Sequence, residues 1–277
     1  MSDPPSPRAT LKRGFEISGV RVAVGASDQD VLDRLVALLP AGATPCDPET
    51  VERHFTLLTV GEGLWQYVME NGRSPIFPDL ALVIPMLDHE LRRFVASSAP
   101  DRVFVHAGAV AYRGRAIVIP GKTFSGKTML VAALAQAGAV YYSDEYAILD
   151  EDGLVHPYAR PLAVRQSDRQ PSERHTIESL GGTTGTGPVP VGLIATTRYR
   201  PGATFSPETR TAGQGMLTLL AHSMPVRDRP AETLAAVRRA ASAALVLEGE
   251  RGEADTAARS LLEMAADVFP NGAEPRG

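Results

Sequence analysis

Apolar and polar positions recur at two periods along this chain, and the switches between them mark out its elements. Ile17 to Val24 and Val51 to Val60 are β-branched and aromatic-rich and predict strands. Between them, Asp28 to Leu39 has helical spacing, with Ser27 placed to cap it and Pro40 to end it. Turn residues follow at Glu62-Gly63, Asn71-Gly72 and Arg73-Ser74-Pro75. Leu80, Val83, Leu87, Leu91 and Val95 then define a helix to Ala96 that Pro85 should kink or restart.

The second part of the chain alternates more densely. Asp101 to Val110 predicts a strand, Arg113-Gly114 a turn, Ala116 to Ile119 a buried strand, and Met129 to Ala137 a helix closed by Gly138. Ala139 to Ser143 is a further strand running into Asp144-Glu145. Tyr146 to Asp150 and Leu154 to His156 flank the turn at Glu151-Asp152-Gly153. Gln166 to Pro190 carries glycine and proline with little periodicity, and a loop of that length is a candidate lid or substrate loop. Val191 to Thr196 and Ala243 to Leu247 read as strands, and Gly215 to Met224, Ala231 to Ala241 and Asp255 to Ala266 as helices. The organisation expected is a disordered arm over 1–13, a small α/β unit over 14–100, an α/β domain over 101–268 and a tail over 269–277.

Composition narrows the partners. The 277 residues carry a formal net charge of -4, which gives no electrostatic case for nucleic acid or an anionic membrane. Cys46 is the one cysteine, so an intrachain disulfide and a cysteine metal cluster are excluded. The opening MSDPPSPRATLKRGF lacks the apolar core of a secretory signal, and no apolar run approaches a membrane span. A reducing, cytoplasmic location is the expectation.

The chemistry concentrates in one stretch. Gly121, Lys122, Thr123, Phe124, Ser125, Gly126, Lys127 and Thr128 match the phosphate-loop pattern G-x-x-x-x-G-K-[ST], between an expected strand and an expected helix. Two of the chain's three lysines fall inside it. Glycines let the backbone wrap an anion, and the loop amides with the helix N-terminus supply positive partial charge. Lys127 would hold the β- and γ-phosphates, and the Thr128 hydroxyl would ligate Mg²⁺. ATP and Mg²⁺ are therefore the expected cofactors. If the strands before and after the loop helix are parallel, Asp144-Glu145 lies at the same sheet edge as the loop. Phosphoryl transfer needs a group that orients the attacking hydroxyl and takes its proton, and Asp144 fits that role. Arg160 and Arg165 are candidate phosphate clamps, since a guanidinium fork suits phosphate oxygens.

His106 to Arg165, with HAGAVAYRGRAIVIPGKTFSGKT, YYSDEYAILDEDG and HPYARPLAVR, resembles the catalytic domain of HPr kinase/phosphorylase and related kinases. The later strand VGLIATTRY and the C-terminal helices extend the likeness over roughly Asp101 to Ala266. The resemblance implies a P-loop mixed sheet flanked by helices, a core of the HPr kinase and PEP carboxykinase type. It puts His106 at the family's active-site histidine and Asp144 at its general base, and leaves Glu145, where a second Asp is usual, beside the metal. Homo-oligomers occur among such kinases, so a homo-oligomer is expected. Met129 stands where a glutamate is typical, and no C-terminal segment for the phosphorylase reaction is recognisable, which points to another substrate. The expected function is an ATP-dependent kinase acting on a hydroxyl, serine in the first instance, of a protein, peptide or small molecule. A non-catalytic ATP-binding module is the alternative. A carboxykinase-type reaction would call for a second metal site with a lysine and a histidine, and outside the loop only Lys12 remains.

Overall fold

The first hundred residues are governed by strand pairing. The computed structural model describes residues 10–69, 72–121, 125–164 and 173–269, and the chain divides into two compact units, Met1–Pro100 and Asp101–Gly277. In the first, Leu11–Ile17 (β1) and Val20–Ala26 (β2) form an antiparallel hairpin about Ser18-Gly19. The expected arm therefore ends sooner than Arg13, because Leu11, Lys12 and Arg13 pair with Ala26, Gly25 and Val24. Gln29–Val36 (α1) is capped by Asp28, whose side chain accepts from Val31 N, while the Ser27 hydroxyl, expected as the cap, accepts from Thr59 N across the sheet. Thr44–Cys46 (β3), Arg53–Gly61 (β4), Leu64–Met69 (β5) and Gly72–Arg73 (β6) complete a six-stranded sheet in the order β3-β1-β2-β4-β5-β6. Leu80–Ser98 (α2) runs on through Pro85 as one helix, burying Val83, Leu87, Leu91 and Val95. The loss of one main-chain hydrogen bond at Pro85 is offset by that buried face, where each such side chain contributes about 1.5–3 kcal/mol of transfer free energy.

The second unit is a mixed sheet with helices on both faces. Val103–Tyr112 (β7) and Arg115–Pro120 (β8) form a hairpin, followed by Lys127–Gln136 (α3), Val140–Ser143 (β9), Tyr146–Leu149 (β10) and Leu154–His156 (β11). Leu162–Val164 (β12) and Glu173–His175 (β13) pair apart from the main sheet. Thr183–Thr184 (β14), Val189–Tyr199 (β15), Glu208–Arg210 (β16), Ala212–Ala221 (α4), Pro230–Ser242 (α5), Leu245–Arg251 (β17) and Ala254–Val268 (α6) complete the described chain. The main sheet has nine strands, in the order β14-β9-β7-β10-β11-β15-β17-β16, with β8 paired to β7 and β15. The fold is mixed α/β, and no helix among the described residues is long and apolar enough to cross a membrane.

Side-chain alternation feeds two cores. Val105, Ala107 and Ala109 of β7 and Val118 of β8 pack with Leu219 of α4 and Val237 and Ala241 of α5. Val110 of β7 and Ile117 and Ile119 of β8 pack instead with Leu130 and Leu134 of α3 and Leu261 of α6. Covered on both faces, β8 reads in sequence as an unbroken apolar run.

Part of the segment expected as a loop is regular structure. Residues 165–172 lie outside the described set; beyond them β13 pairs with β12, β14 pairs in parallel with β9, Ile177 is buried in the α3 core, and Tyr142 OH donates to Gly187 O at 2.6 Å. Strands of two or three residues leave no periodicity to read.

Strand direction decides where polar groups meet. β7 is antiparallel to both β8 and β9, so those two run the same way with β7 between them, and β15 is parallel to β8 and β17. The C-terminal ends of β8, β9, β15 and β17 thus share one edge of the sheet. Gly108 sets the fit of α3 against β7, because a Cβ there would lie 2.5 Å from Val131 Cγ2. Gly108→Val should cost about 1–3 kcal/mol by overpacking, read as a lower urea midpoint at unchanged slope; an unchanged midpoint would show that α3 can move away.

Candidate functional site

The apolar run of β8 ends at Pro120, and the chain then turns through a glycine-rich loop into α3. Gly121, Ser125 and Gly126 are described, whereas Lys122, Thr123 and Phe124, three of the expected loop contacts, and Arg165, the second expected clamp, lie outside the described residues. Gly126 is the N-cap of α3 at φ 79, a left-handed conformation that suits glycine. The Ser125 hydroxyl is buried, and its oxygen has no hydrogen-bond partner among the described residues.

Lys127 opens the helix and is only 8% exposed. Its Nζ donates to Gly121 O at 2.9 Å, bridging the two ends of the loop. Burial pushes the ammonium pKa below its ordinary value, with the Asp144 carboxylate opposing that shift. Thr128 follows, and its hydroxyl donates to Asp144 Oδ2 at 2.9 Å across sixteen residues of sequence. Met129, next along, is exposed at the helix surface.

Asp144 and Glu145 occupy a bend between β9 and β10. Ser143 Oγ makes the bend by accepting from Glu145 N and Tyr146 N, while pairing with β7 continues on either side. The second Asp144 oxygen, Oδ1, accepts from Tyr141 OH at 3.1 Å, and the same hydroxyl lies 3.0 Å from Arg160 O. Burial raises the Tyr141 pKa far above the ordinary phenol range, and the Asp144 charge adds to that, so the group stays a neutral donor. Glu145 is half-buried, and its main-chain oxygen accepts from Ala107 N. Asp144, not Glu145, is thus the carboxylate held against the hydroxyl expected to bind the metal.

His106 is half-buried on β7 across from Tyr146, their ring centroids 6.0 Å apart, and its main-chain oxygen accepts from Gly121 N at 3.4 Å. It lies beside the entry to the loop. Arg160 is buried and joins the cluster through its carbonyl, 3.0 Å from the Tyr141 hydroxyl.

Two members of the cluster are absent from the sequence reading. Tyr141 is one, masked because a tyrosine in an apolar strand reads as core. Arg251, the last residue of β17, is the other. It is 2% exposed, donates from Nη2 to Gly126 O at 2.9 Å and from Nη1 to Gly252 O at 3.0 Å, and its guanidinium carbon lies 5.5 Å from the Tyr199 ring centroid. It stands 125 residues from Gly126, so no local pattern reveals it. An open groove of about 510 Å³ near the ends of β15 and β17, lined by Thr197, Arg198, Arg210 and Glu248 among others, includes none of Lys127, Thr128 and Asp144.

The donor set suits a hard cation. No group of three or more His, Cys, Asp or Glu side chains forms a metal cage among the described residues. One hydroxyl and one carboxylate fit Mg²⁺, which keeps waters and takes further oxygens from a bound phosphate. No protein-family model matches the chain, and a search of curated proteins returns no significant match.

Burial of Lys127 carries a stability consequence. Folding lowers its pKa, so at neutral pH the unfolded chain holds that proton more tightly and the group opposes folding; the opposition fades as pH rises toward 10.5. Lys127→Met should leave the ligand-free melting temperature equal or higher at pH 7, with the difference from the wild type shrinking in alkaline buffer. A lower melting temperature at pH 7 would show that the Lys127–Gly121 bond outweighs the burial cost.

Proposed function

We propose that the second unit is a P-loop kinase of the HPr kinase and PEP carboxykinase type, binding ATP with Mg²⁺ at Gly121 to Thr128 and transferring the γ-phosphoryl group to a hydroxyl. The observation that carries this reading is the 2.9 Å bond from the Thr128 hydroxyl to Asp144. A chance loop motif has no reason to meet a carboxylate from the next parallel strand, whereas a nucleotide site needs that pair.

Within this reading each side chain has a task. Loop amides and the α3 N-terminus meet the phosphates. Lys127 gives up Gly121 O and turns its ammonium to the β- and γ-phosphate oxygens. The Thr128 hydroxyl would hold Mg²⁺, which when bound would neutralise charge on the transferring group. The acceptor oxygen forms a bond to the γ-phosphorus, the bond from that phosphorus to the β–γ bridging oxygen breaks, and the acceptor's proton passes to Asp144. Each Asp144 oxygen already accepts one hydrogen bond and keeps a further lone pair, so the carboxylate can hold its orientation and still receive a proton. Tyr141 fixes that orientation from below. His106 and Glu145 flank the site, and Arg160 is held by main chain beside it. The acceptor class is a hydroxyl of a protein, peptide or small molecule, and a cytoplasmic setting accords with a single cysteine.

The test is a paired measurement on Asp144→Asn. Its side-chain oxygen can still accept from Thr128, so binding of Mg·ADP by calorimetry should stay within about threefold, while transfer of label from γ-labelled ATP to a cellular extract falls by about 10²–10⁴-fold. Wild-type protein that binds nucleotide and labels nothing would favour the non-catalytic ATP-binding module. Undiminished transfer by the variant would remove Asp144 from the base role.

A further inference from the structure

We infer that Arg251 is a positioning residue for the nucleotide loop, holding the Gly126 carbonyl turned away so that the loop amides face the phosphates. The inference rests on the nucleotide-binding part of the reading above and not on transfer.

An anion site built from main-chain amides has a geometric requirement on its carbonyls. Every N–H turned toward the anion leaves a neighbouring C=O that must point elsewhere and find a donor, or its dipole opposes binding and its desolvation goes uncompensated. Gly121 O has a donor in Lys127 Nζ at 2.9 Å. If Lys127 moves to the phosphates, that tie is released and the other end of the loop has to keep its shape unaided. At that end Gly126 O accepts from Leu130 N at 3.2 Å and from Arg251 Nη2 at 2.9 Å. The guanidinium presses so close that a Cβ on Gly126 would lie 2.5 Å from Nη2. The left-handed Gly126 and the guanidinium therefore specify one another.

The cost of this arrangement argues that it is used. Arg251 is 2% exposed, and its Nε is buried with no hydrogen-bond partner among the described residues. A buried cation is poor value for stability alone, since an apolar side chain of similar size usually serves as well. The surroundings nonetheless hold it aimed. Tyr199, opposite Arg251 in the β15–β17 register, lies against the guanidinium, and Tyr199 OH donates to Glu253 Oε1 at 3.1 Å. The strap Tyr199–Arg251–Glu253 thus anchors the loop's helical end to the tip of β17. The positive charge so fixed also adds to the field an anionic ligand would meet.

Calorimetry on the full chain with Mg·ADP and with a non-hydrolysable ATP analogue tests the inference. Arg251→Met should raise both dissociation constants about tenfold and equally, because the loop holds phosphate alike in both ligands, and Arg251→Lys, which keeps one donor for Gly126 O, should fall between Met and wild type. Millimolar methylguanidinium should partly restore binding to Arg251→Ala. A merely structural arginine would lower the melting temperature without this graded, rescuable change in affinity. Should Arg251→Met fail to fold, the exposed Tyr199→Leu substitution leaves the arginine in place and uncovers it, with an expected rise of about two- to fivefold. Affinities of folded variants within a factor of two of wild type would overturn the role of Arg251 alone, whereas wild-type protein that binds neither nucleotide would overturn the nucleotide site and this inference together.

Discussion

A sheet covered on both faces leaves its polar side chains one place to gather, the ends of its strands. In the second unit, β7 and β8 feed the α4–α5 core with one set of side chains and the α3–α6 core with the other, so a charged group along their length would be buried without a partner. The parallel run of β8, β9, β15 and β17 then fixes which end holds the candidate site. Gly121 and Asp144 each follow one of these strands and Arg251 finishes another, so all three come to the same edge.

The edge itself is built at some cost to the fold. Lys127 and Arg251 are cations with less than a tenth of their surface exposed, and burial lowers the pKa of both. Tyr141 spends a buried hydroxyl on orienting Asp144 when phenylalanine would pack as well. Groups of this kind set a geometry that apolar residues cannot, and the stability they forgo is supplied by the two cores behind them. The Ser143-capped bend serves the same end, turning the chain so that Asp144 meets Thr128 while β9 and β10 stay paired with β7.

Much of the architecture was legible in the order of residues, and the limits of that legibility have physical causes. Helices of three or more turns declared themselves by spacing: Val83, Leu87, Leu91 and Val95 are the buried face of α2. Strands buried on both faces, such as Ala116 to Ile119, were legible as apolar runs. Elements that rely on a distant partner were not. The hairpin at Leu11–Arg13 looked like part of a polar arm because its stability comes from pairing with Val24–Ala26, and the short strand Thr183–Thr184 looked like loop because β9 supplies its order.

The candidate site divides along the same line. The sequence by itself determined the contiguous features: the glycine-rich loop, Lys127 and Thr128 at the mouth of a helix, a pair of acids one strand later, and His106 one hairpin earlier. These are legible because each is contiguous in the chain, and the left-handed start of α3 at Gly126 suits glycine without distant help. Only the tertiary structure decided that Asp144 rather than Glu145 meets Thr128, that Tyr141 holds the far oxygen of that carboxylate, and that Arg251, 125 residues from Gly126, reaches the loop. Those choices depend on strand direction, on one bend, and on which strand ends share an edge. Such relations are set by burial of the whole sheet and leave no mark at the positions they bring together.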